Sequence, residues 1–452
     1  MGKNELYSNY VLEDLYNTGR IIQGDFSILI LTIPVQENTQ YGKIMTTILE
    51  YAREGICSPQ MNAVTYNEGV NPEILRAQIM SGKVVIMHRG KVAVGIGEGL
   101  RTKINVNLGS STNRVRLSDE IEKARIAEKY GADTISDLSM GGDINQIRKE
   151  ILSQTTLPVT TVPIYQAVAE SGLKELTTED ILTTIRTQAR QGISSMVIHC
   201  VNERMLSSLR QKKRILGMVS KGGAITSSFM QMNNCENPFI GHFFEILKIM
   251  KEYDIVLSLG NAARSGCIHD LQDETQREEF RQNIELANLA HAEGVQVIIE
   301  GAGGHIRADR IKEYIEQYKN NSPYPLFVAG PLPTDIAFGY DHIAGCVGAS
   351  IASSAGADYL CAITPAEHLG LPGKQDVKEG LIAFRIAAHI GDSMKYGKDE
   401  KDREIAEKRS VLDLEGQMCL ALDRERAEML SSRISECTMC GDFCAIKLMK
   451  MF

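Results

Sequence analysis

Gln276 to Glu293, followed at once by Val295-Gln-Val-Ile-Ile-Glu300, is the stretch that decides the fold. The first part reads as a helix and the second as a short strand rich in β-branched residues. The same alternation runs from about residue 120 to 370, with an apolar run roughly every 25 to 40 residues. The other runs are Asp133-Thr-Ile-Ser-Asp-Leu, Pro158-Val-Thr-Thr-Val-Pro-Ile, Ser195-Met-Val-Ile-His, Gly223-Ala-Ile-Thr-Ser, Ile255-Val-Leu-Ser-Leu, Leu326-Phe-Val-Ala and Tyr359-Leu-Cys-Ala-Ile. Asp119 to Lys129 is a second clear helix between them. Eight strands alternating with helices predict an α/β fold built on a (β/α)8 barrel. A doubly wound open sheet is the alternative reading of the same alternation.

Outward from this region the pattern changes. Residues 1–115 form a mixed α/β segment without repeats. It holds a helix candidate from Ile44 to Arg53, a helix capped by Asn71 with Pro72 at its first position, and a strand at Lys83-Val-Val-Ile-Met-His. Val94 to Gly109 is glycine-rich but lacks the spacing of a dinucleotide fingerprint, and it reads as a loop near a ligand. The barrel is expected over 116–370. A helical bundle is expected over 371–432, from the amphipathic stretches Asp376 to Lys395, Glu400 to Lys408 and Leu412 to Leu430. A short tail, 433–452, follows.

The composition is that of an ordinary globular chain: 452 residues, 43% hydrophobic, 23% charged, formal net charge −8. Without a basic block, nucleic acid is not an expected partner. The longest apolar stretch, Phe26 to Val35, is too short to span a bilayer, so no membrane association is expected. Met1-Gly-Lys-Asn-Glu opens into polar sequence, which does not read as a secretory leader, and Gly2 is a weak myristoylation match. Seven of the ten cysteines are scattered singly, several in apolar runs, as expected of free thiols in a reducing cytoplasm.

The other three, Cys437, Cys440 and Cys444, cluster at spacing C-x2-C-x3-C. Thiolates at such spacing suit an iron–sulfur cluster, and three of them on a four-iron cube leave one iron open. The same positions form one stripe on a helix, which would be packing, although Gly441 and Asp442 disfavour a helix there. A structural zinc site would want a fourth ligand. Spacing alone leaves these readings open.

A barrel places its active site at the C-terminal ends of its strands. Polar residues fall there: Ser136 and Asp137, Tyr165, His199, Asn261 and Arg264, Glu300 and His305, Asp335, then Glu367 and His368. Seven of eight strand ends carry one, more than loop chemistry alone would place.

Five long motifs carry a family likeness. They are Gly99-Leu-Arg-Thr-Lys-Ile-Asn-Val-Asn107, Gly131-Ala-Asp-Thr-Ile-Ser-Asp-Leu-Ser139, Thr161-Val-Pro-Ile-Tyr-Gln166, Gly330-Pro-Leu-Pro-Thr-Asp-Ile-Ala-Phe-Gly-Tyr-Asp-His342 and Thr364-Pro-Ala-Glu-His-Leu-Gly-Leu-Pro372. With Cys437-Thr-Met-Cys440-Gly-Asp-Phe-Cys444-Ala-Ile-Lys they resemble the phosphomethylpyrimidine synthase (ThiC) family over nearly the whole chain. The resemblance implies a radical S-adenosylmethionine (SAM) enzyme. Its fold would be a barrel and a C-terminal helical bundle, with a [4Fe-4S] cluster on a mobile tail held by Cys437, Cys440 and Cys444. It also implies a homodimer, an external electron donor and 5-aminoimidazole ribonucleotide as substrate. Carried over residue by residue, the substrate contacts fall on Asn107, Tyr165, His199, Arg264 and Glu300. Asn261 and the Ser220-Lys221-Gly222 turn lie in the same substrate loops, and the turn suits a phosphate. The metal ligands, for Zn2+ or Fe2+, fall on His305 and His368.

The departures from the family pattern gather in those loops. Ser136 stands for a Met, Lys221 for an Arg and Asn261 for an Asp. Phe327 stands for a Tyr, and Glu300-Gly-Ala-Gly-Gly-His305 is one residue longer. The tail is one residue shorter than the family's C-x2-C-x4-C. Exchanging Arg for Lys gives up a bidentate fork, and Asp for Asn removes a charge. A pocket altered on an unaltered scaffold points to a different product from the same substrate. That is the situation of the paralogous 5-hydroxybenzimidazole synthases, which serve the lower ligand of cobamides (anaerobic vitamin B12 biosynthesis). The competing expectations are a thiamine-pathway pyrimidine synthase, a weakly active partner subunit of a paralogue, and a zinc hydrolase with a packing tail.

Overall fold

The computed structural model describes residues 47–211, 213–270, 272–431 and 437–450. The apolar stretch Phe26 to Val35, the start at Met1 and Gly2, and the first residues of the helix expected from Ile44 lie outside the described residues.

Helices Ile48–Arg53, Pro59–Glu68 and Pro72–Met80 come first. The Asn71 side chain accepts from the backbone N–H groups of Glu73 and Ile74, the cap that the sequence predicts. A hairpin follows, β1 (Val84–Arg89) paired antiparallel with β2 (Val92–Gly97). Then eight strands alternate with helices: β3 (Lys103–Leu108), β4 (Thr134–Asp137), β5 (Val159–Thr161), β6 (Ser195–Ile198), β7 (Val256–Leu259), β8 (Val297–Glu300), β9 (Leu326–Ala329) and β10 (Tyr359–Cys361). They pair in parallel in that order, and β10 returns to β3 to close the barrel. The (β/α)8 expectation holds and the open sheet is excluded.

Two elements differ from the expectation. Gly223-Ala-Ile-Thr-Ser is not a strand but part of the helix Lys221–Asn233. The Ser220 side chain accepts from the Gly223 N–H at 3.2 Å and starts that helix, and buried Gly222, Gly223, Thr226, Ser227 and Met230 repeat with helical spacing. Second, the supposed glycine-rich loop contains β2 and the first barrel strand, β3. The barrel therefore reaches back beyond the boundary drawn at residue 116. In β3, Ile104, Val106 and Leu108 join the main core cluster. Asn105, on the alternate face, binds Asn107 and the Thr134 and Ser136 hydroxyls.

The hairpin packs under the barrel's N-terminal end. The Gln296 side chain bonds both the N–H and the carbonyl of Ile86. The Ser194 hydroxyl donates to the His88 carbonyl at 2.8 Å. Arg89 donates to the carbonyls of Leu152, Thr155 and Leu157. Val85, Met87, Val94 and Ile96 pack against Val256, Ile298 and Tyr359, so this end is an apolar plug rimmed by satisfied backbone groups.

After the barrel, helix Lys374–Tyr396 lies along helix Asp341–Ser354 with Val377, Leu381, Phe384 and Ala388 buried. The two helices come so close that a Cβ at Gly391 would stand 2.0 Å from the Ser353 hydroxyl. Helices Glu400–Ser410, Leu414–Leu420 and Arg424–Leu430 follow, none with a buried residue. The stretch read as one helix from Leu412 to Leu430 is thus two, and Asp423 caps the second by accepting from the Arg426 N–H. No helix among the described residues is long and apolar enough to cross a membrane.

Candidate active site

At the C-terminal mouth of the barrel lies a cavity of about 130 Å³ lined by Asn107, Ser136, Tyr165, His199, Asn261, Arg264, Glu300 and Cys361, among others. Strand ends position these side chains. Asn107 is the penultimate residue of β3, Glu300 ends β8, Cys361 ends β10, and His199 follows β6. Tyr165 sits in the first turn of helix Pro163–Ser171 and lies in the same cavity.

Burial sets the charge states. His199 is 4% exposed, and burial with the nearby Arg264 cation holds its imidazole down to about 3, so the ring is neutral. Burial pushes the Tyr165 phenol up to about 12, keeping its O–H as a donor. Burial also raises the Glu300 carboxyl, against bonds from the Ser258 hydroxyl at 2.9 Å and the Asn261 N–H at 3.4 Å. Arg264, half-buried, is the cation of the cavity, and its Nη1 donates to the Asn261 carbonyl at 3.1 Å.

The Ser220-Lys221-Gly222 turn stands beside this cavity. Lys221 Nζ lies 4.9 Å from the Tyr165 ring centroid. Gly222 packs flat on the His199 ring, and a Cβ there would fall 2.3 Å from Cε1. Asn107, Tyr165, His199, Asn261, Arg264 and Glu300 thus line one cavity, and Lys221 and Gly222 stand against its Tyr165 and His199 walls.

His305 and His368 form a second cluster. Their Nε2 atoms face each other at 3.3 Å. His305 Nδ1 is held by Asp335 at 2.6 Å, and His368 Nδ1 lies 3.2 Å from Asp341. Neutral imidazoles that turn their Nδ1–H groups to these carboxylates would present Nε2 lone pairs to each other, which a cation between them would satisfy. Two metal–nitrogen bonds of 2.0–2.1 Å at a tetrahedral angle need nitrogens about 3.3 Å apart, so the pair fits zinc or ferrous iron with positions left open. No group of three or more His, Cys, Asp or Glu among the described residues is arranged to hold a metal.

Cys437, Cys440 and Cys444 are free thiols, the first two exposed and the third half-buried. Gly441–Phe443 is a single 3-10 turn, which removes the packing-stripe reading. The Lys447 and Ile446 backbone N–H groups, with the Lys447 cation, lower the Cys444 thiol below its ordinary value. Three accessible sulfurs, with Cys444 favoured toward the thiolate, fit a cluster.

Three residues of the region escaped the sequence reading. Cys361 sits in an apolar run, yet it is register partner to Asn105, and its sulfur accepts from Asn107 Nδ2 at 3.2 Å. Asp341 was read only as part of a motif. Glu279 lies mid-helix, where its signal was the buried polar spacing of Gln276, Glu279 and Asn283 on one face.

The sequence profile described as the Radical SAM ThiC family matches residues 47–451. Phosphomethylpyrimidine synthase of Geobacter metallireducens is 44% identical over 423 residues, 89% of this chain and 97% of that protein. The same enzyme of Methanoregula boonei is 43% identical over 90% of this chain and 99% of its own. 5-Hydroxybenzimidazole synthase of Geobacter sulfurreducens is 44% identical over 89% of this chain and 96% of its own. With the barrel, its polar mouth and the cysteine tail, these likenesses make the chain a member of the radical SAM ThiC family, an enzyme family whose chemistry uses a [4Fe-4S] cluster and SAM.

Proposed function

We propose that this enzyme binds 5-aminoimidazole ribonucleotide in the barrel mouth and converts it to 5-hydroxybenzimidazole. The observation that carries the product assignment is Asn261, a neutral side chain lining the cavity whose backbone N–H donates to Glu300, at a position where the family pattern compared above has an aspartate. A less anionic wall changes how an electron-rich aminoimidazole sits against Arg264 and Glu300. Lys221, in place of an arginine, supports the same reading as a point charge for the phosphate.

The proposed roles follow from the charge states. Arg264, Lys221 and the N–H groups at the start of helix Lys221–Asn233 receive the phosphate, and Ser220 and Gly222 shape that turn. Asn107, Tyr165, His199, Asn261 and Glu300 hold the ring and ribose, Tyr165 as donor and neutral His199 through either nitrogen. Cys437, Cys440 and Cys444 would hold the cluster. When bound, it supplies the electron that splits SAM into methionine and a 5′-deoxyadenosyl radical. His305 and His368 would hold zinc or ferrous iron, whose charge suits an amino acid's amine and carboxylate. Exposed Ile336, Phe338 and Tyr340 near that pair suit a protein cover, which supports a homodimer.

The second reading is the pyrimidine synthase of thiamine biosynthesis, favoured by relatives of that name at the same 44% identity. Anaerobic turnover of reconstituted enzyme with the aminoimidazole ribonucleotide, SAM and a strong reductant, read by mass spectrometry, decides between them. A benzimidazole product supports the proposal, and a pyrimidine phosphate replaces it with the second reading.

A further inference from the structure

Behind the mouth, helix Glu274–Ala292 directs one buried carboxylate at the turn that carries Asn261 and Arg264. Glu279 is 3% exposed. It accepts from Ala262 N–H at 2.5 Å, from Ala263 N–H at 3.1 Å to both oxygens, and from Asn261 Nδ2 at 2.7 Å. Asn283, one turn on, donates to the Gly260 carbonyl at 3.4 Å. In its ionised form Glu279 only accepts, and the N–H groups of Ala262, Ala263 and Asn261 converge on it, so the NH2 end of the Asn261 amide faces Glu279 and its oxygen is the other end. That oxygen is buried, has no hydrogen-bond partner among the described residues, and belongs to a residue lining the cavity. A buried acceptor without a partner costs free energy until a donor arrives.

We propose that Glu279 is a positioning residue for the reaction: it locks the 261–264 turn so that the Asn261 carbonyl oxygen faces the cavity as the acceptor for an N–H donor of the substrate. Burial pushes the Glu279 carboxyl up to about 7, and the donors of the turn pull against this. The ligand chemistry is an N–H group on a heterocycle, and naming that group as the amino substituent of an aminoimidazole ribonucleotide rests on the function proposed above. Arg264, whose Nη1 donates to the backbone carbonyl of Asn261 rather than to its side-chain oxygen, is held by the same lock.

The lock has a chemical signature. Glu279→Gln keeps an oxygen for Ala262 and Ala263 but turns an NH2 toward Asn261, whose amide must rotate and show the cavity a donor. Asn261→Asp sets a second carboxylate 2.7 Å from Glu279. The double variant N261D/E279Q restores donor to acceptor on the inside and an acceptor toward the cavity. Binding of aminoimidazole ribonucleotide, and of imidazole ribonucleotide lacking the amino group, is measured by calorimetry on the full chain beside thermal melts. The expected result is a loss of about tenfold or more in affinity for the amino ligand in each single variant. Near wild-type affinity returns in the double variant, with little change for the ligand lacking the amino group. Wild-type affinity in a folded E279Q overturns the proposal, and so does a folded double variant that fails to recover. If the wild type binds neither ligand, the substrate reading falls. The melts then decide the lock alone: recovery of the N261D melting temperature on adding E279Q supports it, and no recovery overturns it.

Discussion

His305 and His368 meet through their Nε2 atoms at 3.3 Å while Asp335 and Asp341 stand behind their Nδ1 atoms. The carboxylates set the tautomers that leave both lone pairs forward. Asp335→Ala should therefore weaken metal binding by about 10- to 100-fold without removing a ligand. His305→Ala should abolish it. Metal content after dialysis against a graded chelator series checks both, and equal retention by D335A and wild type refutes the orienting role.

The tail prediction concerns colour. Cys440→Ser should remove the brown absorbance of anaerobically reconstituted protein and all 5′-deoxyadenosine formation, while the far-ultraviolet circular dichroism stays at the wild-type level. The three thiols bury little, so their loss leaves the barrel core untouched. Retained absorbance would reassign the cluster ligands.

His199 gives a pH dependence. Its folded-state value is depressed to about 3 from the usual 6.5, so the unfolded chain binds the extra proton between these limits. The sign follows: stability is complete above about 6.5 and is lost as pH falls toward 3, with a slope of at most about 1.4 kcal/mol per pH unit from this group. Urea melts of wild type and His199→Gln at pH 7, 6 and 5 check it. The wild type should lose more stability than the variant over that range.

Gly222→Ala tests the contact that seats the imidazole. Alanine suits the second position of a helix better than glycine, so the variant should fold. Its Cβ would meet the His199 ring at 2.3 Å, and the ring must leave its place. The expected outcome is a KM raised about tenfold or more, corresponding to one lost hydrogen bond to substrate, with a melting temperature lowered by an overpacking cost of about 1–3 kcal/mol but a cooperative transition retained. An unchanged KM would show that the ring's position does not matter.

The barrel was legible because its strands are apolar runs between clear helices, and period is the strongest signal a sequence holds. The two misread elements show where that signal fails. Gly223 to Ser227 is short, β-branched and flanked by glycine, a composition that a strand and a buried helix turn share, and only the Ser220 cap separates them. Lys103 to Leu108 alternates cleanly, but its inward residues are lysine and asparagines, so a strand with a polar interior face passed for a loop. The site residues at strand ends were legible from barrel geometry together with the family motifs. Glu279 was not, because its role depends on a turn eighteen residues earlier that only the folded chain brings to it.

The hairpin plug under the barrel has a consequence for traffic. Among the described residues, Val85, Met87, Val94 and Ile96 pack against Val256, Ile298 and Tyr359 and close the lower end of the barrel with apolar side chains. Under the function proposed above, substrate and product would then pass through the same C-terminal mouth, on the face that carries His305 and His368.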